Sequence, residues 1–495
     1  MTFSENQEPA AEEGAVSATV HAWATRLLLG YFALRLIYLA LCVSSFVPPD
    51  EVTHAGLCKI FSRVILLPVN APDTYEFGLV TNIPWLYYWT MGKLLHLNVF
   101  GLSDLVFLRL LNIPIALATV WYATRLLRLL TRDRLTGLLL LAVITNTAMF
   151  SFLSASVSYD NLVNLLAAMA IYYLLAFFQQ RAGSLLAASL LCQLAGGLTK
   201  ITMLPVILVL NLLLAIWVVR KFRPFVSSLR EYFAIRGRAF WQVPLILVAL
   251  GLNLQIYAGN YLHYGTLAAT MPNVLTPELS MQNRIGAREG VFSLYESGKI
   301  SYMDALQMAG DIKHPGDKAD TFYLLMNYEN LRAHPSNWLG PVAYAKLWFQ
   351  EMTTTIFGIK GHLQMYKNPG HLIPVYLVLA LALAGALLRW RPREQGWLTA
   401  SLAAVSLFYA AVLLVKVNYP AYTYYGNPGI TLQGRYLFPV LAPIYVLGSL
   451  YLVRLFRAGP LRLLLVLVTA LLCLVYDFPW FLAHATSEWY AWLPK

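Results

Sequence analysis

The stretch Val43-Ser44-Ser45-Phe46-Val47-Pro48-Pro49-Asp50-Glu51-Val52-Thr53-His54 closes an apolar run that begins at Leu27. A run of about 20 apolar residues is long enough to cross a hydrocarbon core of about 30 Å as a helix. Two prolines then stop the helix, and two adjacent carboxylates stand just beyond it. Charges held that close to hydrocarbon are costly, so a chain that keeps them there has a use for them. Asp50 falls where a new short helix would start, at a terminus that favours an anion. His54 follows four residues later on the same face of that helix. The same residues also read as an N-cap followed by a solvated polar turn.

The rest of the chain repeats the apolar theme. Of 495 residues 59% are hydrophobic, 14% aromatic and only 12% charged, a composition that excludes an ordinary soluble domain. The sequence is that of an all-α polytopic membrane protein. Its formal charge of +12 does not point to nucleic acid, because most arginines lie in short connections between apolar runs. Cys42, Cys58, Cys192 and Cys473 are scattered, and their spacing suggests neither a disulfide framework nor a zinc site.

About eleven crossings are expected, at Ala24–Phe46, Asp104–Leu127, Leu135–Leu153, Leu162–Phe178, Leu185–Gly197, Met203–Val219, Val243–Ala258, Leu372–Leu388, Leu398–Val415, Tyr436–Val453 and Leu463–Tyr476. The basic clusters Arg125 to Arg134, Arg181, Arg220 to Arg238, Arg389 to Arg393 and Arg454 to Arg462 each follow an even-numbered crossing. With a cytoplasmic N-terminus all of them face the cytoplasm, and the odd-numbered loops face outward. Asn82 to His96, apolar and aromatic but too short to cross, fits an interfacial helix on the outer side. The implied division is a disordered cytoplasmic tail (1–23), a transmembrane module (24–259) with an external loop at 47–103, an external segment (260–371), a second transmembrane module (372–478) and an external tail (479–495). Within the external segment Tyr302–Ala309 and Phe322–Ala333 read as amphipathic helices, and Trp338–Phe357 as a further interfacial one.

The polar constellations all fall on the outer side. Ser154 to Asn161 contains Asp160-Asn161, which reads as a helix N-cap and equally as a carboxylate that orients a sugar. Gly196-Gly197-Leu198-Thr199-Lys200 reads as a turn whose lysine either snorkels to headgroups or contacts a phosphate approached by the glycine N–H groups. Gln433-Gly434-Arg435-Tyr436 enters the tenth expected crossing. Arg435 there is either an interfacial anchor or a guanidinium fork for a phosphate. A divalent ion held by Asp50, Glu51 and His54 is a further candidate, while His263, Arg284, His314, His334 and His362 have no metal-ligand spacing.

Pro49-Asp50-Glu51-Val52-Thr53-His54, Ile83-Pro84-Trp85-Leu86-Tyr87-Tyr88-Trp89, Asp160-Asn161, Leu198-Thr199-Lys200 and Gln433-Gly434-Arg435-Tyr436 together resemble the GT-C-type integral membrane glycosyltransferases. Those include protein O-mannosyltransferases and the aminoarabinose transferases of lipid A. More narrowly, the first and last motifs resemble a bacterial membrane family within that group. Related enzymes often read Pro-Pro where this chain has Ile83-Pro84. The resemblance implies transfer of a sugar from a polyprenyl-phosphate or polyprenyl-diphosphate donor to a glycan, lipid or protein acceptor outside the plasma membrane. It implies Asp50 as general base with inversion, and Glu51 as an assistant or ion ligand. Asp160, Asn161, Lys200, Gln433, Arg435, Tyr436, Tyr87 and Tyr88 are the implied substrate contacts, with Lys200 and Arg435 on the phosphate. A flippase for lipid-linked saccharides, or a non-catalytic membrane assembly protein, is the alternative. A transporter site, however, tends to sit near the midplane between inverted repeats.

Overall fold

The computed structural model describes residues 16–494 apart from 235, 314, 362, 367, 368 and 391. Most of the expected N-terminal tail, and His314 and His362, lie outside the described residues. Helix α1 (Ala18–Cys42) starts ahead of the expected Ala24 because the Ser17 hydroxyl caps it, accepting from the Val20 N–H. Residues 18–23 therefore belong to the helix and not to the tail.

Two short helices follow, α2 (Glu51–Ser62) and α3 (Leu86–Leu94). Helix α3 does not simply float in an interface. Tyr87, Tyr88 and Met91 are buried, and at Gly92 an added Cβ would stand 2.7 Å from the Cys58 carbonyl, so α3 is pressed onto α2. The chain then runs through α4 (Asp104–Arg128), α5 (Arg134–Thr145), α6 (Ala148–Ser154), α7 (Tyr159–Gln180), α8 (Gly183–Thr199), α9 (Leu204–Arg220), α10 (Phe222–Ala234) and α11 (Arg236–Tyr264).

The segment that follows α11 folds as α12 (Met271–Val274), α13 (Pro277–Ser280), α14 (Arg284–Glu296), α15 (Tyr302–Gly310), α16 (Pro315–Ala333) and α17 (Pro341–Gly358). Val291, Phe292, Leu324 and Leu325 give it a small core of its own, joined by Tyr424 and Tyr425 from the C-terminal part. Helix α17, expected in the interface, is packed instead through Tyr344, Trp348 and Met352, with Trp348 Nε1 donating to Asn418 Oδ1 at 2.8 Å. The last helices are α18 (Ile373–Arg389), α19 (Pro392–Val412), α20 (Tyr419–Tyr425), α21 (Leu441–Arg454), α22 (Gly459–Val475) and α23 (Phe478–His484).

Each expected apolar run falls on helix. Eight described helices are long and apolar enough to cross a membrane, the α5–α6 pair, bent by 66°, would make a ninth, and α8 and α18 are shorter. The expected eleven are reached only by adding those three. No strand is present among the described residues; one isolated bridge joins Val43 to Tyr490.

Several of the basic connections meet at one end of the helices. There Arg462 Nη2 lies 2.9 Å from Asp133 Oδ2, Arg134 Nη1 donates to the Val16 carbonyl at 3.2 Å and Arg389 Nη2 to the Leu455 carbonyl at 3.3 Å. Inside the bundle, Arg35 of α1 pairs with Asp477 between α22 and α23 and also donates to the Thr145 carbonyl. A charge placed within apolar helices is thus paired, as its desolvation requires. At the end opposite the basic connections, residues 489–493 lie along the exit of α1. The Ser44 N–H donates to the Trp489 carbonyl at 2.9 Å and the Ala491 N–H to the Cys42 carbonyl at 2.8 Å.

Candidate active site

Asp50 sits at the N-cap position of α2 but does not cap it: its side chain makes no capping bond. Its backbone is left-handed, with φ 59° and ψ 10°. That region costs an L-residue roughly 1–2 kcal/mol, with Asp and Asn among those that visit it most. Such a conformation persists only where its surroundings over-determine it. Pro48 and Pro49 stiffen the approach, and the next residue is clamped.

The clamp is Glu51, expected as an assistant or ion ligand and found in a buried ion pair. Its carboxylate accepts from Arg109 Nε at 2.8 Å and from Arg109 Nη2, and from the Val157 N–H at 2.8 Å. Arg109 Nη1 in turn donates to the Val43 carbonyl at 2.6 Å and the Ala40 carbonyl at 3.1 Å. One buried ion pair therefore ties the end of α1, the start of α2, helix α4 and the loop before α7. Both Glu51 oxygens are bonded within this knot, and the side chain is fully buried. Asp50, Glu51 and His54 do not converge, and among the described residues no group of three or more His, Cys, Asp or Glu side chains is placed to hold a metal ion.

Asp50 turns the other way, toward Arg435, whose Nη2 donates to its Oδ2 at 2.8 Å. Arg435 lies in a short 3-10 helix (Gly434–Val440) that leads into α21. Gly434 is there because α17 passes too close for a side chain: an added Cβ would meet the Met352 carbonyl at 2.6 Å. The Gly434 N–H also donates to Thr355 Oγ1 at 2.6 Å. After α17 the chain reaches the other arm of the site, where Gly361 lies against the Val47 carbonyl, 2.5 Å from an added Cβ. The segment from α17 to Gly361 thus touches both arms of the site, beside Asp50 and beside Arg435.

Asp160 and Lys200 complete the group. The N-cap of α7 is Ser158, whose hydroxyl accepts from the Asp160 N–H at 3.2 Å, so the capping reading of Asp160 is replaced. The Asp160 carboxylate is bonded to Lys200 Nζ, and its other oxygen lies 4.0 Å from Arg435 Nη1. Asp160 stands at a helix N-terminus and Lys200 just after the C-terminus of α8, so both helix dipoles favour the charges present. Burial opposes the Lys200 charge, yet Asp160, backed by Tyr159 and Tyr436, raises its pKa above the ordinary lysine value. The ammonium lies 4.3 Å from the Tyr159 ring centroid and 5.2 Å from that of Tyr436.

Other expected contacts are used elsewhere. Gly196 and Gly197 are not in a turn: α8 runs through them, their N–H groups belong to the helix, and an added Cβ at Gly197 would meet Asn253 Oδ1 at 2.2 Å. They are packing glycines, which replaces the anion-approach reading. Asn161 donates to the Leu153 carbonyl at 2.9 Å, the Ser156 carbonyl at 3.1 Å and Asn112 Oδ1 at 3.1 Å, so its amide fixes the loop ahead of α7. Tyr87 is fully buried with its hydroxyl on Asn112 at 3.2 Å. Both side chains are buried and bonded within the fold. Tyr88 is also buried, with its hydroxyl 2.9 Å from His54 Nδ1, and supports the cluster from behind. Burial pushes the His54 pKa down to about 4, so the ring is neutral. Gln433 Oε1 and Arg435 Nε are both buried with no hydrogen-bond partner among the described residues.

Asp50, Asp160, Lys200 and Arg435, far apart in the chain, are thus brought into one group, with Tyr436 and Tyr159 as aromatic walls. Arg109, Asn112 and Tyr159 were not anticipated. Arg109 left a signal, as an arginine within the apolar run Asp104–Leu127.

No family model matches the chain, and no curated protein matches it. Among solved structures it is similar to ArnT from Cupriavidus metallidurans bound to undecaprenyl phosphate, with 14% identity over 88% of this chain and 78% of that one and a TM-score of 0.37. It is similar also to the apo state of the same protein, at 13% identity, the same coverage and a TM-score of 0.38.

Proposed function

We propose that this chain is a membrane glycosyltransferase of the GT-C type, moving a sugar from a polyprenyl-phosphate donor to an acceptor outside the membrane. The observation that carries the reading is the one group formed by Asp50, Asp160, Lys200 and Arg435. In it Asp50 is the open member, 30% exposed, while Arg435, Asp160 and Lys200 are 6%, 5% and 7% exposed. The basic ends of the helices are gathered opposite, which favours a cytoplasmic N-terminus and a site facing outward.

The chemistry follows from the group. An acceptor hydroxyl attacks the anomeric carbon, the new carbon–oxygen bond forms as the bond to the phosphate oxygen breaks, and configuration inverts. The phosphate leaves with the bonding electron pair, already anionic, and needs no general acid, unlike an ordinary glycoside. The hydroxyl proton passes to Asp50. Lys200 and Arg435 stabilise the charge that grows on the leaving phosphate. Asp160 holds Lys200 in place, and Glu51 acts at a distance, by fixing where Asp50 begins.

The test is sugar transfer in proteoliposomes supplied with lipid-linked donor and acceptor. Asp50→Asn should lower turnover by about 10²–10⁴-fold, the range of a lost general base. Its melting temperature should stay close to that of the parent, since Asn tolerates the left-handed backbone. Parental turnover in Asp50→Asn would remove the base assignment.

A further inference from the structure

Among the described residues two carboxylates, Asp50 and Asp160, face two cations, Lys200 and Arg435, and their charges balance. A phosphate cannot join this group without taking a cation away from a carboxylate, because an added anion in a poorly hydrated site has no counter-charge left. The Lys200–Asp160 pair is the poorer candidate for opening. Both side chains are almost fully buried, and each sits at a helix end that favours it.

Arg435 differs. A guanidinium binds an oxyanion best side-on, through Nε and Nη2 together. On Arg435 the Nη2 group is on Asp50 at 2.8 Å, Nε is buried with no partner among the described residues, and Nη1 is 4.0 Å from Asp160, beyond a hydrogen bond. The fork is half filled. Asp50 reaches it with one oxygen, from the exposed side of the group, and does so from a strained backbone. A phosphate presenting two oxygens would satisfy Nε as well as Nη2, which the single Asp50 contact does not.

We propose that the donor phosphate seats on the Nε–Nη2 fork of Arg435 and in doing so takes the guanidinium from Asp50, so that donor binding and release of the base are one event. The inference rests on the transferase reading above. Its consequence is an order of addition. Before the donor binds, Asp50 is occupied by a cation that suppresses its basicity; afterwards the same carboxylate has lost that cation and gained an anionic neighbour. Proton abstraction from an acceptor is then confined to the donor-bound protein, and Arg435 serves as the positioning residue that couples the two. The device also explains why an enzyme would keep a carboxylate in contact with the cation that its substrate needs: the contact is a competitor to be displaced.

The competition has a measurable sign. Asp50→Asn removes the competing anion, so the variant that loses transfer should bind the phosphate more tightly. The probe is farnesyl phosphate, titrated against the full-length protein in detergent, with farnesol as the phosphate-free control. We expect Asp50→Asn to tighten farnesyl phosphate binding by about 5- to 150-fold, the span usual for coupled sites, and to leave farnesol unchanged. The same substitution in an Arg435→Lys background, where charge is kept but the fork is lost, should give no such gain. Parental binding of farnesyl phosphate with equal or weaker binding in Asp50→Asn would overturn the coupling and leave the phosphate site standing. A gain that survives in Arg435→Lys would show that the fork is not the seat. Absence of farnesyl phosphate binding in every form would take down the coupling and the transferase reading together.

Discussion

Arg109 and Arg435 are two buried arginines that hold neighbouring carboxylates, Glu51 and Asp50, and they are completed to different degrees. Arg109 and Glu51 have no exposed side-chain surface, and both atoms of the Arg109 side-on fork are on the Glu51 carboxylate. Its remaining nitrogen is spent on backbone carbonyls at the end of α1. Arg435 puts one fork atom on a partly exposed Asp50 and leaves Nε without a partner among the described residues. A fork filled by the protein is structure; a fork left half open at the mouth of a charged group is capacity for a ligand. On the proposed reading, adjacent residues of one sequence motif divide the two tasks, Glu51 to hold the place and Asp50 to act in it.

The largest effect on stability should come from emptying the filled fork. Arg109→Met strands Glu51 as a buried unpaired carboxylate, and breaking such a pair from one side costs roughly 3–5 kcal/mol. Replacing both partners, Arg109→Met with Glu51→Leu, should recover most of that loss, because the cost lies in the abandoned charge. Denaturant or thermal unfolding in detergent measures both. Transfer by the double variant should stay low even where stability returns, since nothing then pins the strained start of α2. A double variant with full transfer would show that Glu51 has no positioning role.

Arg435→Met sharpens the contrast in the opposite direction. Its partner Asp50 is partly solvated, so the stability loss should be nearer the 0–1 kcal/mol of an exposed pair than that of Arg109→Met. The donor side should suffer instead, with farnesyl phosphate affinity falling by about tenfold or more, since a charge-assisted bond is worth about 1.5–3 kcal/mol. If Arg435→Met destabilises as much as Arg109→Met while binding is unchanged, the two arginines are alike and the distinction fails.

Much of this was readable before any coordinates, and the part that was not has a definite cause. The spans follow from apolar length alone. The meeting of Asp50, Asp160, Lys200 and Arg435 follows from parity, because each sits at the end of an apolar run opposite the basic connections. What the order of residues does not encode is direction around a helix start. Asp50 and Glu51 are neighbours in sequence, yet at a helix N-terminus one step of chain turns the side chain through about a quarter of the circumference. That step sends Glu51 inward to Arg109, and no periodicity distinguishes it from Asp50. Asn161 and Tyr87 show the same limit: both are polar groups near the site, and only the fold shows that they close hydrogen bonds with Asn112 of α4. Gly196 and Gly197 resembled an anion-binding turn, whereas the close approach of Met203 to the first and of Asn253 to the second gives them a packing role.

The smallest effect belongs to His54, which lies between the two arginine systems and is charged in neither. It faces Asp50, Asp160, Arg435 and Lys200, with Tyr88 on its Nδ1 and the edge of Tyr159 against its ring. Burial, the dominant influence, pushes its pKa down to about 4 from the ordinary 6.5, against the pull of Asp50 and Asp160. Between those two values the unfolded chain carries a proton that the folded chain refuses. Stability contributed by the neutral ring is therefore complete above the ordinary value and drains away as pH falls toward the lower one. His54→Gln keeps a polar group near Tyr88 but removes the titration, so its melting temperature should fall less than the parent's between pH 7 and pH 5. The difference between the two slopes isolates the histidine from carboxylates that titrate in both proteins. Equal slopes would mean that His54 takes up its proton in the fold as readily as in the unfolded chain; the cluster would then gain a positive charge as pH falls through that range, and the balance of charge among Asp50, Asp160, Lys200 and Arg435 would not hold there.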